Sequence, residues 1–431
     1  MTNNIIFWFR NDLRLHDNEA FLKAAAAGNI IPVYVFDERN FENRWLGFKK
    51  TGVIRAKFLL ESVQNLRENL RKIGSELVVR VGKPEEILAK MAKDVEAAAI
   101  FASKACTQEE TDIEANLSKK LKPLNIDIEL IWTATLFHVR DIPFNINQLP
   151  DIFTNFRIAV EKQSKVRKTF DSPTQLSDYQ GVTCGEIPTL QDLGYENEPE
   201  FDERSVLKFV GGESEGLKRL HEFIWEKDLL KTYKETRNNL IGGDYSSKFS
   251  AWLSLGCLSP RTIYEEIKKY ETEKLKNDST YWLVFELIWR DYFHLIALKY
   301  GTRLFKASGI KFDLKKKWKR DREVFLQWAL GETGVPFIDA NMNELRKTGF
   351  MSNRGRQNVA SFLVKELGID WTWGAAFFES QLIDYDVCIN WGNWNYIAGV
   401  GNDPREDRHF NIKKQAEMYD AKGEYVKLWN I

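Results

Sequence analysis

The stretch IIFWFRNDLRLHDNEAFLKAAAAGNIIPVYVF, residues Ile5–Phe36, begins and ends on short runs of β-branched and aromatic residues, Ile5–Phe9 and Ile30–Phe36. Runs of that length bounded by polar residues and glycine read as buried strands. The pattern returns at Leu77–Val81, Ala98–Ala102 and Ile126–Trp132, and between the second and third runs Leu59, Val63, Leu66 and Leu70 keep a helical stripe. Five strands alternating with helices over residues 1–135 predict an α/β domain on a doubly wound, mostly parallel five-stranded sheet. Its ligand site would lie at the carboxyl ends of the strands, where Arg10 and Asp12 follow the first. No GxGxxG follows any of these strands, so a dinucleotide would have to be held elsewhere.

From about Pro143 the pattern dissolves into polar sequence such as DSPTQLSDYQG (171–181) and ENEPEFDE (196–203), so residues 136–213 read as an inter-domain connector crossing the surface. Residues 214–431 carry repeated helical stripes, for example Phe285, Ile288, Trp289 and Tyr292, and predict an all-α domain. At 431 residues with 43% apolar and 13% aromatic side chains the chain can fill two or three cores. Lys+Arg and Asp+Glu balance at 62 each, so a nucleic-acid partner would need a local basic patch. Cys106, Cys184, Cys257 and Cys388 show neither CxxC nor metal spacing with the scattered histidines, which predicts a reduced protein without structural zinc. No apolar run approaches a membrane span, and a strand starting near Asn4 leaves no room for a targeting peptide; a cytoplasmic protein is expected.

Chemistry concentrates in the helical half. In LIDYDVCINWGNWNY (Leu382–Tyr396), a helix would put Asp386, Asn390 and Trp394 at i, i+4 and i+8 on one face. That stripe suits a flat heteroaromatic ligand such as an isoalloxazine, and equally a capping cluster with aromatics in a core. GGDYSSKFSAWLSLGCLSP, from Gly242, brings Ser246, Ser247 and Ser250 to a helix start, an anion site suited to a pyrophosphate or ordinary capping over a core of Trp252 and Leu255. FELIWRDYF, from Phe285, puts Glu286, Trp289 and Arg290 on one helix face, as a solvated ion pair or a cavity wall. FMSNRGRQNVASFLVKELGIDW, from Phe350, adds Asn353, Arg354, Arg356 and Gln357 at another helix start. Lys315, Lys316, Lys317, Lys319, Arg320 and Arg322 offer a phosphate-binding surface or a solvated charged face.

These blocks, together with WFRNDLRLHDN from Trp8, TGVIRAKFLLESVQNLRENLRKIGSELVVRVGKPEEIL from Thr51, ETRNNLIGGDYSSKFSAWLSLGCLSP from Glu235, GVPFIDANMNELRKTGFMSNRGRQNVASF from Gly334 and CINWGNWNYIAGVGNDPRE from Cys388, closely resemble the photolyase/cryptochrome family. The similarity is to its DASH branch and covers nearly the whole chain. It implies a U-shaped FAD in the helical domain, with phosphates on Ser246, Ser247, Lys248, Phe249 and Ser250 and with Tyr233 in contact. It implies Arg290 in the cavity, Arg356 and Asp384 paired beside the flavin ring, Asp386 on its pyrimidine side and Asn390 facing N5. The implied activity is that of a deoxyribodipyrimidine photo-lyase, in which the excited reduced flavin lends an electron to split a cyclobutane pyrimidine dimer; no metal is called for. Glu286 and Asn353, beside the cofactor, would hydrogen-bond the flipped dimer, Trp289 and Tyr396 would pack against its bases, and Arg354 would hold the flanking backbone. Trp394, Trp371 and Trp318 match the family's tryptophan relay.

Departures from the family pattern refine these expectations. Gln357 stands where duplex-repairing relatives have methionine and Tyr396 where they have tryptophan, which predicts weaker packing and a preference for single-stranded or looped DNA. Ala105 and Cys106 replace a Glu-Val pair that helps hold a folate, which counts against the antenna 5,10-methenyltetrahydrofolate. No long tail follows GEYVKLW, and a monomer is expected. The rival expectations are a blue-light receptor that binds FAD and nucleic acid without efficient repair, and a light-independent flavin electron carrier.

Overall fold

The computed structural model describes residues 3–176, 181–405 and 408–430. Strands β1 (Asn4–Phe9), β2 (Asn29–Phe36), β3 (Val78–Val81), β4 (Ala97–Ser103) and β5 (Asp127–Ile131) form one parallel sheet in the order β3-β2-β1-β4-β5. Helices α1 (Glu19–Ala27), α2 (Val53–Lys72), α3 (Pro84–Asp94) and α4 (Gln108–Leu121) alternate with them. The apolar runs form strands because both faces of the sheet are covered: Ile5, Phe7 and Phe9 enter one core, Ile6 and Trp8 the other. On α2, Val63, Leu66 and Leu70 are fully buried, so the helical stripe faces that first core. Strand order reverses between β1 and β4, and there the loops after both strands open a cavity.

The connector differs from its expectation. It carries a helix, α5 (Phe153–Gln163), whose Phe153, Phe156 and Val160 are buried at helical spacing. Phe153 lies flat on Trp289, ring centroids 3.5 Å apart, so this segment packs into the helical half instead of only crossing the surface. Residues 177–180 of the stretch DSPTQLSDYQG lie outside the described residues.

The remaining helices are α6 (Glu213–His221), α7 (Tyr233–Thr236), α8 (Ser250–Ser254), α9 (Pro260–Glu273), α10 (Asp278–Tyr300) and α11 (Arg322–Leu330). They are followed by α12 (Pro336–Thr348), α13 (Asn353–Ser361), α14 (Trp371–Gln381), α15 (Val387–Ala398), α16 (Ile412–Tyr419) and α17 (Glu424–Trp429). The WFRNDLRLHDN loop fastens the sheet to them. Arg261 on α9 pairs with Asp17 at 2.6 Å, both buried, and Arg14 donates to the Gly256 carbonyl at 2.9 Å. Gly256 sits at φ +65 with the Asn11 backbone where a Cβ would go, so no other residue permits this approach.

Candidate functional site

A cavity of about 450 Å³ opens among α8, α10, α13 and α15. That volume falls in the range of about 300–1,000 Å³ usual for cofactor sites. At one end Ser246, Ser247, Lys248, Phe249 and Ser250 line it, with Tyr233 beside them. The serines do not cap α8, whose N-cap position is Phe249; Trp252 is core, as the capping alternative supposed, while the hydroxyls face the cavity. Lys248 holds a left-handed backbone, φ +61, its ammonium 3.0 Å from the centre of the Tyr245 ring and donating to Ser246 Oγ at 3.1 Å. Burial holds the Lys248 amine well below its ordinary value, against the opposing charge of Glu344. An anion in this cradle would relieve that desolvation.

Along the wall, Asp384 accepts from Arg356 Nη2 at 2.9 Å and from Ser250 Oγ at 2.7 Å, which makes the expected Arg356–Asp384 pair. Among the described residues its other oxygen, Oδ1, is buried without a partner, as are Tyr245 Oη and Arg290 Nε. Orphaned donors and acceptors along a cavity that also holds a cationic, hydroxyl-rich end fit a ligand with a diphosphate, hydroxyls and a heteroaromatic ring. FAD has all three.

Asp386 lines the far end and caps α15, accepting from the Ile389 N–H at 3.1 Å, so the capping alternative holds for this residue. Burial alone would push its carboxyl up; the His294 imidazole at 2.9 Å and the Arg290 guanidinium at 3.7 Å overcome this and hold it well below the usual carboxylate range. The rest of the stripe is corrected. Asn390 donates to the Ala375 carbonyl at 3.0 Å, and Trp394 packs against Gly374 and Trp328, so this face of α15 meets α14. The cavity face is instead Ile389, Asn393, Tyr396 and Ile397.

Glu286, Trp289 and Arg290 all line the cavity. The i, i+4 ion pair does not form: Glu286 pairs with Arg237, and Arg290 donates to the Ala134 carbonyl. Burial raises the Glu286 carboxyl and Arg237 opposes the rise. Asn353, Arg356 and Gln357 line the opposite wall from α13, and Tyr396 stands edge-on to Trp289 with centroids 6.2 Å apart. Arg354 is not part of the lining; it stacks over Tyr419 and donates to Asn238 and Gln357. Arg405 and Arg408 do line the cavity, each paired with Asp403. The basic run 315–322 is largely solvated, with Lys316 on the Ala398 carbonyl and Arg320 on Asp370.

Trp318 and Trp371 donate to one and the same carbonyl, Ala307, at 2.9 and 3.0 Å, while Trp394 packs one helical turn along α14 from Trp371, on Gly374. The chain missed Arg237, His294 and Asn393 as site residues. Two of them meet partners distant in sequence: Glu286 lies 49 residues beyond Arg237, and Asp386 lies 92 beyond His294. Chain spacing misses one more convergence. Cys106, His294 and Cys388, expected to be scattered, place their ligand atoms within 4.8 Å of one another.

Residues 282–430 match the family model for the FAD-binding domain of DNA photolyase, and residues 5–175 the model for DNA photolyase. The chain is 53% identical over 429 residues to cryptochrome DASH of Gloeobacter violaceus, covering 99% of this chain and 85% of that protein. It is 52% identical to cryptochrome DASH of Xenopus laevis, covering 99% and 82%. Among solved structures, a Synechocystis cryptochrome superposes with TM-score 0.96 at 51% identity, covering 100% of this chain and 89% of that one. An archaeal photolyase from Sulfolobus tokodaii, solved with two FAD molecules, superposes with TM-score 0.80 at 29% identity, covering 99% and 90%. The chain belongs to the photolyase/cryptochrome family, in its DASH branch, and FAD is its cofactor.

Proposed function

We propose that this protein is a light-driven lyase for cyclobutane pyrimidine dimers, acting on single-stranded or looped DNA. The observation that carries the reading is that Glu286, Trp289 and Asn353 share one cavity with the Ser246–Ser250 cradle and Asp386. When bound and reduced, FAD supplies the photoexcited electron that opens the cyclobutane ring. The chain's own part is to bind, orient and stabilise. Trp289, backed flat by Phe153, offers a rigid apolar wall to an extruded base, and Tyr396 closes the corner. Glu286, beside Arg237, and Asn353 from α13 offer a carboxyl and an amide that hydrogen-bond the edge of a base on which negative charge develops. Arg405 and Arg408 at the cavity, with Arg354 outside it, give the local cation supply that zero net charge denies the whole molecule.

The receptor alternative is favoured by one contact, the ion pair with Arg237 that occupies the Glu286 carboxylate. Repair under blue light of one dimer placed in single strand, bubble and full duplex decides between them. Extrusion from duplex costs a few kcal/mol, so single strands are expected to be repaired at least about tenfold faster. Equal rates on all three would refute the strand preference. No light-dependent repair of any would leave the receptor reading.

A further inference from the structure

Cys106 leaves the end of β4 on the loop to α4, Cys388 stands in the first turn of α15, and His294 lies midway along α10. The two sulfurs are 3.2 Å apart as thiols, and Cys106 Sγ is 4.0 Å from His294 Nδ1. We propose that these three side chains form a binding site for one zinc ion, with a fourth position open to the switch-point cavity.

Three observations converge on this. A tetrahedral ion with Zn–S near 2.3 Å and Zn–N near 2.0 Å sets its ligand atoms about 3.5–3.8 Å apart. The observed separations bracket that range, so small side-chain rotations close the shell. His294 is already aimed: its Nε2 meets Asp386 Oδ2 at 2.9 Å, which leaves Nδ1 turned to Cys106, the carboxylate–histidine–metal arrangement that fixes ring and tautomer. The cavity of about 100 Å³ against all three residues has room for an exchangeable water or small ligand at the fourth position. Two thiolates cancel the ion's charge, so filling the site adds no net charge beside Arg10, Arg14 and Arg290. Binding releases the ligand protons to solvent, and the ion would tie the sheet to two helices of the flavin-binding half.

The test is equilibrium dialysis of the reduced, FAD-loaded full chain against buffered free Zn²⁺, with X-ray absorption at the zinc edge on the wild-type complex. One zinc per chain is expected below micromolar free ion, and Cys106→Ser or Cys388→Ser should each weaken binding by at least about 100-fold. The absorption spectrum should show two sulfurs near about 2.3 Å with nitrogen or oxygen near about 2.0–2.1 Å; it needs no variant, so a misfolded mutant does not confound it. Any of four results overturns the site: no zinc at micromolar free ion, unchanged affinity in both variants, a shell without sulfur, or a Cys106–Cys388 disulfide that persists in reductant. Neither cysteine is assigned to flavin binding or repair, so failure here leaves the repair reading standing.

Discussion

At the residue scale, Glu286 concentrates the problem of telling a working group from a structural one. Its carboxylate lines the cavity, pairs with Arg237 and is raised by burial. If it serves only folding, Glu286→Gln leaves Arg237 as a buried cation facing a neutral amide, and stability and flavin content fall. If it serves the dimer, the amide keeps the side chain's size and hydrogen-bonding reach but loses the carboxyl. The expected outcome is full flavin occupancy, an unfolding midpoint close to wild type and dimer splitting slowed by about ten- to a hundredfold. Single-turnover repair with pre-reduced flavin measures it; flavin loss together with unfolding would return the residue to a structural role. The charges of this site were visible in the chain but their partners were not. An i, i+4 rule offered Arg290 to Glu286, whereas tertiary packing delivered Arg237 and sent Arg290 to a backbone carbonyl.

At the element scale, the strands were legible because a parallel sheet covered on both faces needs unbroken apolar runs. The helix α15 was harder: VCINWGNWNYIA is apolar on almost every side, so its period carries little information about which face meets what. The chain suggested the Asp386, Asn390, Trp394 face, and the structure gives the cavity the Ile389, Asn393, Tyr396 face, about a quarter of a turn away. The α5 helix was overlooked because proline- and glycine-containing sequence follows it, although Phe153, Phe156 and Val160 carry the signal. The contact between α14 and α15 is set by Gly374, where a Cβ would collide with the Trp394 indole. That places Trp394 between the cavity helix and the helix bearing Trp371, whose indole shares the Ala307 carbonyl with Trp318. Trp394→Phe keeps the ring in its slot and removes the readily oxidised indole. Photoreduction of the oxidised flavin is expected to slow severely, while repair after chemical reduction stays near wild type. Transient absorption checks the first and a repair assay the second; wild-type photoreduction would move the relay to other aromatics.

At the scale of the whole molecule, the last helix is joined to the cavity floor through one buried acid. Glu344 on α12 is fully buried, accepts from the Tyr425 hydroxyl of α17 at 2.6 Å, and leaves Oε1 without a partner among the described residues. Burial raises its carboxyl from an ordinary 4.5 to about 7, with Tyr425, Lys248 and Arg356 opposing the rise. The sign follows from linkage: a folded-state value above the unfolded one means the fold holds the proton more tightly than the open chain does. Its contribution is therefore fully present below about pH 4.5 and is lost as pH rises through about 7, after which the curve flattens. A displacement of that size corresponds to on the order of 3 kcal/mol across the window. Glu344→Gln removes this proton exchange while keeping a polar group for Tyr425. Denaturant unfolding of both proteins at pH 5 and pH 8 cancels every other titrating group in the difference. The wild type should lose stability relative to the variant between those pH values by up to on the order of 3 kcal/mol. A difference that does not change with pH would mean that Glu344 is charged throughout, with Lys248 or Arg356 as its partner, and that the floor of the flavin cavity is an ion pair.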